Sequence, residues 1–216
     1  MARRTAPTKD PTEAESKARL LAAAERLFAE QGYAATSIGD ISESAGVNRA
    51  LIYYYFKNKR DLYWAVIREG VEQMSVVMAA AAVSGRSIRE KLGAFVDGYY
   101  RLLLKRQDTV RIAFREITGS GEKLGLSIKG CFGENLAQLQ AIIREGIASG
   151  ELRPLDPEMT AHSVLGMINV FMTQQLVTER TFPPDLVVRH TLDLLCNGAL
   201  GARSAGQPEE SSHGET

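Results

Sequence analysis

Between Ser44 and Arg60 the chain carries Arg49, Lys57, Lys59 and Arg60 and not one Asp or Glu, and three consecutive tyrosines, Tyr53, Tyr54 and Tyr55, stand in the middle of that stretch. These residue types suit nucleic acid. A guanidinium pairs bidentately with guanine O6 and N7, a Tyr ring or an Ala methyl touches the thymine methyl, and Lys or Arg neutralises phosphate. The rest of the chain does not share this bias. Its 216 residues hold 26 Lys and Arg against 26 Asp and Glu, a formal net charge of zero, which argues against a protein that coats nucleic acid indiscriminately. The positive charge is an island, and salt screens the acidic remainder from a phosphate beyond a Debye length of roughly 8–10 Å.

Reading residues need a scaffold. Apolar residues recur at helical spacing along nearly the whole chain, and no clear alternating strand bounded by turn residues is found, so the expected class is all-α. A first helix is expected from Asp10-Pro11-Thr12-Glu13, with Asp10 as its cap, through Leu20, Ala24, Leu27 and Phe28 to Gly32. Ser37 and Asp40 form a capping box for a short second helix that stops at Gly46, a residue free to turn left-handed. The third helix then starts at once. On a wheel of 100° per residue, Ile52, Tyr55 and Phe56 gather on one side of it and Arg49, Ala50, Tyr53 and Tyr54 on the other, so one face packs and one reads. Asn58 caps a fourth helix running through Leu62, Val66, Ile67 and Met74 to about Val83, with no Gly or Pro before Gly70. Beyond Ser84-Gly85, helices are expected at 87–106, 108–118, 124–149, 157–179 and 184–200, separated by Gly- and Pro-bearing breaks.

The residues Phe28-x-x-x-Gly32-Tyr33, Thr36, Ile38, Ile41, Ala45-Gly46-Val47, Tyr53-x-Tyr55-Phe56, Lys59 and Leu62, in that order, resemble the tetracycline-repressor (TetR) family of bacterial transcription regulators. The likeness covers roughly Leu20 to Val66. It implies an N-terminal three-helix helix-turn-helix head on a larger helical body that binds a small molecule and dimerises through its last two long helices. Carried over by position, Thr36 and Ser37 would cap the second helix and meet a phosphate, and Asn48 would cap the recognition helix. Arg49, Ala50 and Tyr54 would face base edges, and Tyr53 and Lys59 would clamp the backbone. Two positions depart from the family: Ala50 stands where Gly is frequent, and Tyr55, which the resemblance adds to the DNA-contacting residues, stands where His is common, leaving the operator sequence open.

This assigns residues 12–58 to the DNA-binding head and 59–201 to the ligand-binding and dimerising body. Residues 1–11 form a basic arm and 202–216 a tail, both lacking periodic apolar positions. Arg3, Arg4 and Lys9 of the arm suit either a minor groove or plain solvation. In the body, Met74, Met78, Phe95, Tyr99, Phe114, Phe132, Leu136, Met167 and Phe171 are candidates to line a pocket for a lipophilic or aromatic effector, against the alternative that they are ordinary core. Arg111, Arg115 and Glu116 would orient a polar ligand group or form a solvated face. The last two helices are apolar on more than one side, which places Val164, Leu165, Ile168, Met172, Val187, Leu194 and Leu195 as candidates for a homodimer interface.

Catalytic and metal signals are poor in the sequence. His162, His190 and His213 lack metal-ligand spacing, no GxSxG elbow occurs, and Gly119-Ser120-Gly121 with Gly125 reads as a loop because no strand precedes it. Cys131 and Cys196 sit in separate apolar segments and are expected as buried thiols. No cofactor is called for. No apolar run approaches the ~20 residues of a membrane span and no signal-peptide core follows Met1, so a cytoplasmic regulator, most simply a repressor of operator DNA released by an inducer, is expected. The competing readings are an activator of the same fold, a helical protein that sequesters a small molecule, and an architectural DNA binder. Neither of the last two needs both an acid-free reading helix and so large an apolar body.

Overall fold

The computed structural model describes residues 12–85, 87–117, 128–178 and 180–198, and among them the chain forms nine helices and no strand. The helices are α1 (Glu13–Gln31), α2 (Ile38–Ala45), α3 (Arg49–Tyr55), α4 (Lys59–Val83), α5 (Ile88–Lys105), α6 (Gln107–Ile117), α7 (Ile128–Ser149), α8 (Pro157–Thr178) and α9 (Pro184–Asn197). The arm, the tail and the expected break at 118–121 lie outside the described residues.

Local chemistry starts and stops these helices. Thr12, not Asp10, caps α1: its Oγ1 accepts from the Glu15 N–H at 3.3 Å while the Glu15 carboxylate accepts from the Thr12 N–H at 2.7 Å. The start is two residues later than expected because Thr12-x-x-Glu15 closes a reciprocal box. Ser37 and Asp40 make the same box on α2. Gly46 ends α2 in the left-handed region, φ 62° and ψ 38°, and the Ser42 hydroxyl donates to the Val47 carbonyl at 2.6 Å, fixing the corner before α3. Each such cap contributes about 1 kcal/mol.

Two apolar cores result, and α4 belongs to both. The head core packs Leu20, Phe28, Ile41, Ile52, Leu62 and Val66, with Tyr63 edge-on to Phe28 and Tyr33 at centroid distances of 5.0 and 5.1 Å. The body core packs Met78, Leu92, Phe95, Tyr99, Leu139, Val164, Ile168 and Val187 from α4, α5, α7, α8 and α9. Ile112 of α6 is the exception to this division, since it is buried in the head core. Among the described residues, no helix is long and apolar enough to cross a membrane.

Candidate nucleic-acid interface and its link to the body

The reading helix presents the face that its wheel predicts. Asn48 caps α3 by accepting from the Ala50 N–H at 2.9 Å. Ile52 (1% exposed) and Phe56 are buried in the head, while Arg49 and Ala50 are exposed and the Tyr53 and Tyr54 rings stand out at 58% and 72%. Ser37, at the start of α2, is also exposed. The Asp40 carboxyl beside it is held below its ordinary range by the Ser37 backbone N–H, then by the Ser37 hydroxyl, with the Arg49 charge adding to both.

Three of the expected DNA contacts have other work inside the head. Thr36 is buried, and its hydroxyl lies 2.8 Å from the Gly32 carbonyl and 3.2 Å from that of Leu27, so it ties the α1–α2 loop and Ser37 alone caps α2. Tyr55 is half-buried and donates to the Glu13 carbonyl at 3.1 Å, fastening the end of α3 to the start of α1; burial pushes its hydroxyl pKa up. Lys59 donates to the Tyr33 and Thr36 carbonyls at 2.8 and 2.9 Å, with its ammonium 4.3 Å from the Tyr33 ring centroid. An ammonium has three donors, and two of these are engaged with the loop. Lys59 is therefore a staple between α4 and the α1–α2 loop.

In the body, Met78, Phe95 and Tyr99 are buried together, and Met74, Leu136, Met167 and Phe171 pack around them. The Tyr99 hydroxyl donates to Asn169 Oδ1 at 3.0 Å, and burial pushes it up to about 12. Phe114 is not part of this cluster and is 43% exposed, because α6 turns that face outward; the Phe132 side chain lies outside the described residues. The dimer candidates divide. Val164, Ile168, Met172 and Val187 are buried within one chain and so form its own core, whereas Leu165, Leu194 and Leu195 are half-buried. The exposed apolar residues of α8 and α9 are Met159, Val170, Val177 and Leu186. Cys196 is an exposed free thiol, contrary to expectation, because it falls on the outward side of α9; the Cys131 and Glu116 side chains and His213 lie outside the described residues.

A connection that the sequence did not disclose runs along α6. Arg106, Thr109, Ile112 and Arg115, spaced by three, all face the head. Arg106, at the elbow between α5 and α6, sits 3.5 Å from the Glu25 carboxylate of α1 and 3.9 Å from that of Glu69 of α4, yet its Nε and Nη2 are buried without a hydrogen-bond acceptor. The Thr109 hydroxyl donates to Glu25, and Arg115 donates to the Phe28 and Glu30 carbonyls at the end of α1, at 3.4 and 3.2 Å. Arg115 thus fastens head to body and is not available to orient a ligand in this arrangement, while Arg111 is exposed. Periodicity marks such a stripe as a helix face, but its partner lies some eighty residues back in the chain, beyond the reach of local pattern. Among the described residues, no group of three or more His, Cys, Asp and Glu is placed to hold a metal ion.

Comparison with known proteins decides the family. Residues 20–66 match the model of "Bacterial regulatory proteins, tetR family", and residues 85–173 match "Tetracyclin repressor-like, C-terminal domain". The chain belongs to the TetR family. This TetR-family regulator is 27% identical over 180 residues, 83% of its length and 93% of the relative's, to the fatty acid metabolism regulator protein of Bacillus subtilis. It is also 28% identical over 100 residues, 46% of each chain, to the transcriptional activator FasR of Mycolicibacterium smegmatis. The solved structure of the Bacillus subtilis regulator FadR in complex with stearoyl-CoA superposes with a TM-score of 0.75 at 26% identity, covering 85% of this chain and 100% of that one. These proteins are transcription regulators and not enzymes, and the present chain is likewise a ligand-responsive transcription regulator with a helix-turn-helix head.

Proposed function

We propose that this protein is a homodimeric repressor that reads a pseudo-palindromic operator with one α3 per subunit and is released by a long-chain acyl-CoA. The observation that carries the DNA-binding part is the acid-free edge of α3, on which Arg49, Ala50, Tyr53 and Tyr54 are all exposed. Arg49 and Tyr54 address base edges and Tyr53 the backbone, while Ser37 and Asn48 hold two helix N-termini towards phosphate. Two such helices occupy successive major grooves about 34–36 Å apart.

The Met- and aromatic-rich core of the body, packed between α4, α5, α7 and α8, suits an acyl chain, and the stearoyl-CoA bound to the related FadR supports that class. Filling it would favour a conformer in which α4 and α6 have shifted and the two heads no longer match the groove spacing. A change from 1:99 to 99:1 requires about 5.5 kcal/mol of differential affinity. The two chains meet through α8 and α9, where Met159, Val170, Val177 and Leu186 are exposed and Leu165, Leu194 and Leu195 are half-buried. The likeness to FasR favours one second reading, an activator with the same mechanics and a differently placed operator.

Binding-site selection from randomised duplex DNA tests the reading. An inverted-repeat sequence emerges, and stearoyl-CoA, but neither stearate nor coenzyme A alone, releases the protein from it. Failure to enrich any sequence overturns the operator reading. Enrichment without release overturns the acyl-CoA assignment alone.

A further inference from the structure

α2 has a glycine in its first turn, and the protein uses the space that it leaves. Gly39 lies between Ile38 and Asp40 in a helix of eight residues, where it costs helix stability relative to alanine and where its backbone is ordinary helix, not a left-handed turn. A Cβ at this position would fall on the Arg49 guanidinium, 3.2 Å from Cζ and closer still to Nη2, and 3.3 Å from the Ser37 hydroxyl. Arg49 is the first residue of α3, so its side chain reaches back from the recognition helix and rests over the first turn of α2. The Asp40 carboxylate lies within electrostatic range of the same guanidinium.

We propose that Gly39 is a specificity-determining position of the operator-binding surface: its missing side chain is the seat that aims the Arg49 guanidinium, and any side chain there re-aims it. This inference rests on Arg49 as the base reader. Bidentate recognition of a guanine edge depends on where the fork of the guanidinium is presented, so a seat that fixes the resting position reduces the ordering needed on contact. Displacing the guanidinium is cheap for the fold, because the obstructing atom is the free end of a flexible side chain. Its consequence is confined to aim.

Selection from randomised duplex DNA on four proteins tests this: wild type, Arg49→Ala, Gly39→Ala and the double variant. Arg49→Ala relaxes preference at one base-pair position per half-site. Gly39→Ala melts no lower than wild type, keeps the wild-type dependence on salt because no phosphate contact is removed, and changes preference at that same position by roughly tenfold. In the Arg49→Ala background, Gly39→Ala adds nothing. If Arg49→Ala relaxes the position and Gly39→Ala leaves it as in wild type, or if Gly39→Ala acts equally in both backgrounds, the seat is refuted while the reading helix stands. If Arg49→Ala itself selects wild-type sequences, the base-reading assignment fails and the role of Gly39 falls with it. Gly39→Ser, with similar reach, repeats the Gly39→Ala result.

Discussion

Lys59 shows how a side chain's chemistry can be legible while its partner is not. The family resemblance implies a phosphate clamp for this lysine at the start of α4, and only the folded head shows the Tyr33 and Thr36 carbonyls converging on it. Lys59→Ala removes a charged donor from both, a loss of about 1–3 kcal/mol, so urea unfolding shifts to lower denaturant and the salt slope of DNA binding stays near that of wild type. A flattened slope with unchanged stability would restore the clamp. Arg49→Ala has the reverse signature: stability holds, and specific affinity falls by roughly 1–3 kcal/mol at one base position. Tyr99 makes a prediction about pH. Its folded-state pKa is raised from 10.0 to about 12, so the native chain keeps a proton that the unfolded chain has lost in that interval. The stability is fully present below about pH 10 and falls towards pH 12, at about 1.4 kcal/mol per unit. Urea midpoints measured across that range should show a component of slope that Tyr99→Phe abolishes.

Helix by helix, most boundaries follow from caps within three residues of where they act, which is why Ser37-x-x-Asp40, Gly46, Asn48 and Asn58 were readable and α2, α3 and α4 lie where expected. The differences come from longer range. From sequence the buried side of α8 resembles a subunit interface, because hydrophobicity on several faces does not say which face the chain's own α5, α7 and α9 will cover. Similarly, the charges of α6 suggest a ligand contact or a solvated face, whereas Thr109, Ile112 and Arg115, with Arg106 at the elbow before them, are directed at α1 and α4. At Gly70 the two helices come so close that a Cβ would stand 2.8 Å from the Thr109 methyl. Ile112→Ala opens a hole in the head from a residue of the body's α6 and should cost about 2–5 kcal/mol by urea unfolding, lowering DNA affinity with no effector present. Unchanged DNA affinity at temperatures where the variant is folded would show that the head does not depend on α6.

At the scale of the whole molecule, the division of the α8 and α9 residues sets where a charge breaks the dimer and where it breaks the fold. Val170 is 64% exposed in the single chain and Ile168 is fully buried. Val170→Glu should therefore yield a folded monomer in sedimentation, with operator affinity reduced to that of one half-site. Ile168→Glu should unfold the body, because it buries a charge without a partner. A dimeric Val170→Glu protein would move the interface off this face.

The burial of Ile112 in the head also bears on transplantation. A recognition head excised at the end of its four helices and grafted onto a foreign body leaves behind the side chain that fills its own core, together with the Arg115 that closes the end of α1. Chimeric regulators built from this protein keep their heads intact only if the junction carries α6 across with α1 to α4, or if the recipient supplies an isoleucine-sized residue at the same point of contact.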